Sequence, residues 1–188
     1  MKPESKRATV AAALLSCTLV ACKPGLDTHT AETIAAKLDA PYDYYLIGMH
    51  TERFDGIGKR LMLLTAPRMN HFADDDHAEL ETPQYHWFRD QGAPWLVSSD
   101  TGNVHHVNGN DEIALNGNVK ASTTLEETGP LLVETSRMLV MPAAKSARTD
   151  AVADISTGSF HQRGTGMQLD LSNNTISLLK DVRGTYVP

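Results

Sequence analysis

The chain has 188 residues, with 17 Lys and Arg against 23 Asp and Glu and a net charge of −6. That length suits one ordinary domain with a sizeable core, and the acidic excess argues against nucleic acid as a partner, because binding phosphate needs a basic surface. Both cysteines, Cys17 and Cys22, fall near the N-terminus, which leaves the body of the chain without a disulfide framework, a thiol nucleophile or a cysteine-based zinc site.

Lys2, Lys6 and Arg7 precede an uncharged run from Ala8 to Cys22. A basic start followed by an apolar run is the pattern of a secretory signal or a membrane anchor. As a helix the run would reach about 22 Å, short of the roughly 30 Å of a hydrocarbon core. It ends Leu19-Val20-Ala21-Cys22, which fits the lipobox of bacterial lipoproteins and makes Cys22 a lipidation candidate. The alternatives are a short single-pass helix with Arg7 and Lys23 snorkelling to the two interfaces, and ordinary signal cleavage. All three place the body across a membrane from the cytoplasm, the orientation favoured by positive residues before the run.

The chain therefore divides into a signal or anchor at 1–22, a tether at 23–43 and a body at 44–188. The tether holds Pro24, Gly25 and Pro41 around a weak helical stretch, Ala31 to Leu38, too short to be stable alone. From Tyr44 onward, short alternating runs are punctuated by Gly, Pro, Asn and Asp, the pattern of an all-β protein. Leu61 to Met69 is a run ended by Asn70, and Trp95-Leu96-Val97 leads to a turn-like Asp100-Thr101-Gly102-Asn103. Ile113, Leu115, Gly117 and Val119 alternate with Ala114, Asn116, Asn118 and Lys120. Leu131 to Met141 is stopped by Pro142. Met167, Leu169 and Leu171 alternate with Gln168 and Asp170 before Asn173-Asn174 turns the chain into Ile176 to Leu179.

These runs predict roughly eight to ten strands at sandwich or barrel spacing. One face of the sheet is polar and meets water; the other must be covered or carry a ligand. The acids concentrate before Arg137, and residues 137–188 carry a slight basic excess, which reads as an ordinary soluble surface.

Candidate chemistry is sparse. His71 and His77 bracket a run of three aspartates that begins at Asp74, and His71, Asp74 and His77 could serve a metal-dependent hydrolase. Adjacent strand residues point to opposite faces, however, so the cluster cannot all converge on one ion; His105-His106 suffers the same alternation. Gly164-Thr165-Gly166 has no following helix to receive a phosphate, and reads as a turn or bulge entering a strand at Met167. No G-x-S-x-G, HExxH or P-loop is present. No catalytic residue, cofactor or metal is expected. What remains is an apolar strand face with Trp87 and Trp95, either a closed sandwich core or an open groove in which Met and Leu accommodate acyl chains. Periodicity does not choose between them.

Several segments, in order, resemble the LptC family of lipopolysaccharide export proteins. They are Phe54-Asp55 with Gly58, Leu64-Thr65-Ala66-Pro67-Arg68-Met69, Leu80-Glu81-Thr82-Pro83, Pro94-Trp95-Leu96-Val97, and Ile113-Ala114-Leu115-Asn116-Gly117-Asn118-Val119. Leu132-Val133-Glu134-Thr135, Gly164-Thr165-Gly166-Met167-Gln168-Leu169-Asp170-Leu171 and Val182-Arg183-Gly184-Thr185-Tyr186 follow. The resemblance covers about residues 42 to 188 and rests on order, spacing and total length rather than on one motif.

The resemblance implies an open, twisted antiparallel β-jellyroll of the OstA/LptA-like type, anchored in the inner membrane with its bulk in the periplasm. Such a protein accepts lipopolysaccharide from the LptB, LptF and LptG transporter at its N-terminal edge. It passes the lipid through a hydrophobic groove to LptA at its C-terminal edge, with no active site of its own. Alternation then places Met69, Trp95, Val97, Ile113, Leu115, Val119, Val133, Val140, Met167, Leu169 and Leu178 in the groove. Met167, Leu169 and Leu171, with Ile176 and Leu178, make the expected LptA-facing edge. The N-terminus departs from the family's plain transmembrane helix, and Lys23 is not the acidic residue that commonly retains lipoproteins at the inner membrane. The competing reading is an outer-membrane lipoprotein with a closed β-sandwich and a structural or protein-binding role.

Overall fold

In the computed structural model of the protein, which describes residues 41–186, every regular element is a β-strand. The strands are β1 (Tyr44–Phe54), β2 (Arg60–Phe72), β3 (His77–Glu81), β4 (Gln84–Trp87), β5 (Trp95–Ser98) and β6 (Thr101–Val107), then β7 (Asn110–Leu125), β8 (Gly129–Met141), β9 (Ser146–Ser156), β10 (Phe160–Asp170) and β11 (Thr175–Tyr186). The anchor candidates within 1–22, Cys22 included, and the helical stretch at Ala31–Leu38 lie outside the described residues.

All eleven strands join one sheet in the order β11-β10-β9-β8-β7-β5-β4-β2-β3-β6, with β1 on the other side of β2 and β6 also paired to β7. Every pairing is antiparallel. β3 and β4 lie end to end along β2, and β5 and β6 lie end to end along β7. Each of these pairs is one long strand interrupted once, at Thr82-Pro83 and at Ser99-Asp100.

The interruptions share a line with the irregularities of the other strands. Gly48 lies opposite Pro67 of β2; beyond Thr82 and Asp100 come shifts of register between Asn116 and Val119, Thr135 and Leu139, Thr165 and Met167, and Arg163 and Thr165. Bulges kink a strand locally, and stacked side by side they crease the sheet. Backbone hydrogen bonds still cross the crease, from the Thr82 N–H to the Asp100 carbonyl at 2.8 Å and from the Asp100 N–H to the Gly117 carbonyl at 3.0 Å. Gly117 carries the bend with φ +76°, and a Cβ there would lie 2.4 Å from the Asp100 carboxylate. Asn118, with φ 44°, follows it and donates from Nδ2 to the same carboxylate at 2.8 Å.

The crease resets the alternation. In β2 the buried positions run Met62, Leu64, Ala66 and then Met69, with Pro67 exposed between them; in β8 they run Leu131, Val133, Thr135 and then Met138. Each long strand thus gives half of itself to each of two layers, and the buried faces of both layers point at one another.

The all-β, antiparallel expectation holds, with more strands than the spacing suggested. Three boundaries differ. β2 runs through Asn70 to Phe72, because Asn70 pairs with Glu79 in an ordinary ladder. The turn after β5 is confined to Ser99-Asp100, and Thr101, Gly102 and Asn103 already pair with β3 and β7. The Gly164–Gly166 segment is a bulge as expected, but inside β10, which starts at Phe160.

Candidate functional site

The space between the layers is lined by the predicted apolar residues. Met69, Trp95, Val97, Ile113, Leu115, Val119, Val133, Val140, Met167 and Leu169 all lie in one buried cluster, and Leu178 packs partly buried against it. Met62, Leu64, Leu80, Tyr85, Leu131, Met138 and Ile155 belong to the same cluster and were not singled out by the sequence. Met62 and Leu64 are readable in hindsight from the alternation of the Leu61–Met69 run. Tyr85 is not, since a four-residue strand after Pro83 has too few positions to show a period.

In this conformation the interior is packed. Tyr85, Trp95, Val97, Val119, Val133, Val140 and Met167 have no exposed surface. A hollow of about 570 Å³ opens instead at the rim, between Arg89–Gly92, Thr124–Thr128 and Ser172–Asn174. Two polar bridges span the layers. The Trp95 indole N–H donates to the Asn174 side-chain oxygen at 2.9 Å, and Arg53 donates to the Asp111 carboxylate at 3.1 Å. β5 is not a sheet neighbour of the β10–β11 turn, nor β1 of β7, so both bridges exist only because the sheet folds over.

Buried polar side chains inside are otherwise satisfied. Ser99 donates to the Thr101 carbonyl, Thr123 to the Ala93 carbonyl and Thr135 to the Val152 carbonyl, while Thr149 sits 3.4 Å from Thr135. Tyr85 Oη is the exception among the described residues: it is buried with no hydrogen-bond partner. Burial pushes its phenol well above the usual tyrosine range, against a smaller opposing pull from the positive charge of Arg53.

Two strands are paired on one side only among the described residues. β1 pairs with β2 alone and β11 with β10 alone. β1 exposes Tyr44, Tyr45, Leu46, Ile47 and Phe54, and β11 exposes Leu179, Val182 and Tyr186. Exposed, apolar, unpaired strands are templates for adding another strand. The expected C-terminal edge needs a correction. Met167 and Leu169 lie on β10, whose backbone is paired with β9 on one side and β11 on the other, and Leu171 is buried in the turn that follows, its N–H bonded to the Lys145 carbonyl. The open edge is β11 alone, with Ile176 and Leu178. Alternation identifies a hairpin but not which of its strands lies outside.

The histidine cluster forms ion pairs and stacks. His71 bonds Asp43 through Nδ1 at 2.7 Å and faces Asp76 through Nε2 at 3.2 Å. The hydrogen bond to Asp43 is the largest cause of a raised His71 pKa, with desolvation opposing, and it lowers that of Asp43. His77 bonds Asp75, and its ring stacks between Phe72 and His105 at centroid distances of 4.6 and 5.4 Å. The register pairs His77 with Phe72 and His71 with Ala78, so the two histidines face opposite sides of the sheet. Among the described residues no three potential ligands converge on a metal position.

The family model described as "Lipopolysaccharide-assembly, LptC-related" matches residues 8–187. No curated protein matches the sequence. Among solved structures, the chain is similar in fold to LptH from Pseudomonas aeruginosa, described as the LptA-homologous periplasmic component of the conserved lipopolysaccharide transport device. The TM-score is 0.53 at 8% identity, over 68% of this chain and 95% of that one.

Proposed function

The chain belongs to the LptC-related family of lipopolysaccharide-assembly proteins, and from that premise we propose that it is a non-catalytic carrier that accepts lipopolysaccharide at one open edge of its β-jellyroll and releases it at the other. Its role in lipopolysaccharide transport, in the cell envelope, follows from the family. The finer assignment rests on one observation: a continuous apolar interior runs between two layers and is flanked by β1 and β11, each paired on one side only among the described residues.

The N-terminal strand β1 would continue the sheet of the LptB, LptF and LptG transporter, and β11 the sheet of LptA, each by strand addition. The groove would be lined by the predicted apolar residues, from Met69 to Leu178. The family match begins at residue 8, the first residue of the apolar run, and so takes in that run, which supports residues 1–22 as the inner-membrane anchor. No helix among the described residues is long and apolar enough to cross a membrane.

One observation favours the competing closed sandwich: the interior is filled by its own side chains. A carrier must then part its layers to admit acyl chains. Photo-crosslinkers at Ile113 and Leu169 decide between the two in living cells. Capture of lipopolysaccharide at these inward positions is the expected result. Capture only at an outward position such as Asn116 would support the closed sandwich.

A further inference from the structure

Among the described residues, Tyr85 is the one interior side chain whose polar atom has no partner. Its strand partners across the sheet are Leu64 and Val97, both buried and apolar. A phenylalanine would fill the same space without burying a hydroxyl, and an unmade hydrogen bond in such a place is destabilising. A trapped water would not relieve it, because a buried water needs at least two polar partners. The other buried polar side chains in the core, Ser99, Thr123, Thr135 and Thr149, are already engaged, and the strands' own backbone groups are committed to the ladder.

We propose that the Tyr85 hydroxyl is a ligand-binding group that donates a hydrogen bond to an oxygen carried on the acyl part of the bound lipid, an ester or amide carbonyl or a chain hydroxyl, when the layers part. The assignment rests on the carrier reading above. Hydrocarbon alone gives the groove no means of fixing how deep a chain inserts, since apolar contact is non-directional. One donor at a fixed depth sets that register and discriminates a lipid with oxygenated chains from a plain hydrocarbon. The donor is already unpaired in the free protein, so the discrimination comes from the hydrogen bond that an oxygenated chain gains there and a plain hydrocarbon does not offer. Arg53, which makes the bridge to Asp111, pairs with Met62 of β2, two residues along that strand from the Tyr85 partner Leu64, so the donor lies near one of the two links between the layers.

The test is Tyr85→Phe in the full chain, reconstituted in lipid nanodiscs, with two readings: the melting temperature without ligand and the Kd for lipopolysaccharide. The expected result is a higher melting temperature together with a Kd weakened about three- to tenfold, the range of one neutral hydrogen bond. A higher melting temperature with an unchanged Kd overturns the assignment, leaving the hydroxyl as a mere defect. A lower melting temperature also overturns it, since the hydroxyl is then satisfied in the free protein. If the parent chain itself binds no lipopolysaccharide, the carrier reading falls and the assignment with it; if the parent binds and the variant binds as tightly, only the assignment falls.

Discussion

Trp95 on β5 and Asn174 in the turn between β10 and β11 are 79 residues apart, and the indole N–H of one donates to the side-chain oxygen of the other at 2.9 Å. The strands that carry them are separated by β7, β8 and β9 within the sheet, so the contact ties one layer to the other. It closes the rim over an apolar interior that a carrier must open.

Asn174→Ala removes the acceptor and leaves a buried indole N–H unpaired. The expected loss is about 1–3 kcal/mol, read by urea denaturation. In a Trp87→Phe background, which isolates its emission, Trp95 in the folded variant is expected to be quenched more readily by acrylamide than in the Trp87→Phe parent, as the rim loosens. Parent-like quenching would show that the bridge does not hold the layers.

Gly117 is the crease residue with the least tolerance. Gly117→Ala combines a positive φ with a Cβ 2.4 Å from the Asp100 carboxylate, and is expected to cost more than about 1 kcal/mol. Adding Asp100→Gly removes the clash but not the strain, so the double variant is expected to recover only part of the loss. Equilibrium unfolding of both variants checks this.

Leu115 is 1% exposed, so Leu115→Asp buries a carboxylate in a packed core and is expected to abolish folding rather than to block transfer selectively. Leu178, partly buried against the core on the edge strand β11, is the better probe. Leu178→Asp is expected to retain a parent-like circular dichroism spectrum while lowering lipopolysaccharide transfer several-fold.

The two edges are separable by charge. Ile47 is 66% exposed on β1 and Val182 51% exposed on β11. Lysine at either position is expected to change stability by less than about 0.5 kcal/mol, yet to oppose strand addition at that edge only. Ile47→Lys should reduce co-purification with the LptB, LptF and LptG transporter and Val182→Lys that with LptA. Loss of both partners from either variant would contradict the assignment of separate edges.

His71 and Asp43 predict a pH window for the attachment of β1. His71 has its pKa raised above 6.5, so its contribution is full below that value and is lost as pH rises through the raised pKa. Asp43 has its pKa lowered below 3.8, so its contribution is full above that value and is lost as pH falls through the lowered pKa. Between 3.8 and 6.5 both are present. Protection of the β1 amides from hydrogen exchange, taken relative to the intrinsic rate at each pH, is expected to be greatest in that window, and His71→Phe should remove the alkaline limb.

The alternation from Ile113 to Val119 and from Met167 to Leu171 was legible because a two-residue period reports directly which side chains share a face. The same rule implies that adjacent residues of the His71–His77 run cannot all converge on one ion, whereas the opposite facing of His71 and His77 themselves comes from the register of the β2–β3 hairpin. Tyr85 escapes it for lack of length, and Asn70, where the apolar run ends, and Gly102, in the turn-like Asp100–Asn103 stretch, both sit in paired strands. Local propensity does not reveal a neighbour that supplies the ladder.

From the sequence alone came the strand period, the polar and apolar faces, the cysteine-free body and the resemblance to lipopolysaccharide export proteins. The tertiary structure decided three further matters: the crease that sets two half-sheets face to face, the identity of β11 rather than β10 as the open edge, and the isolation of the Tyr85 hydroxyl. Alternation is a property of neighbouring residues along one strand, whereas a fold-over, an edge and an unpaired donor depend on which distant strand lies alongside, and no local pattern carries that information.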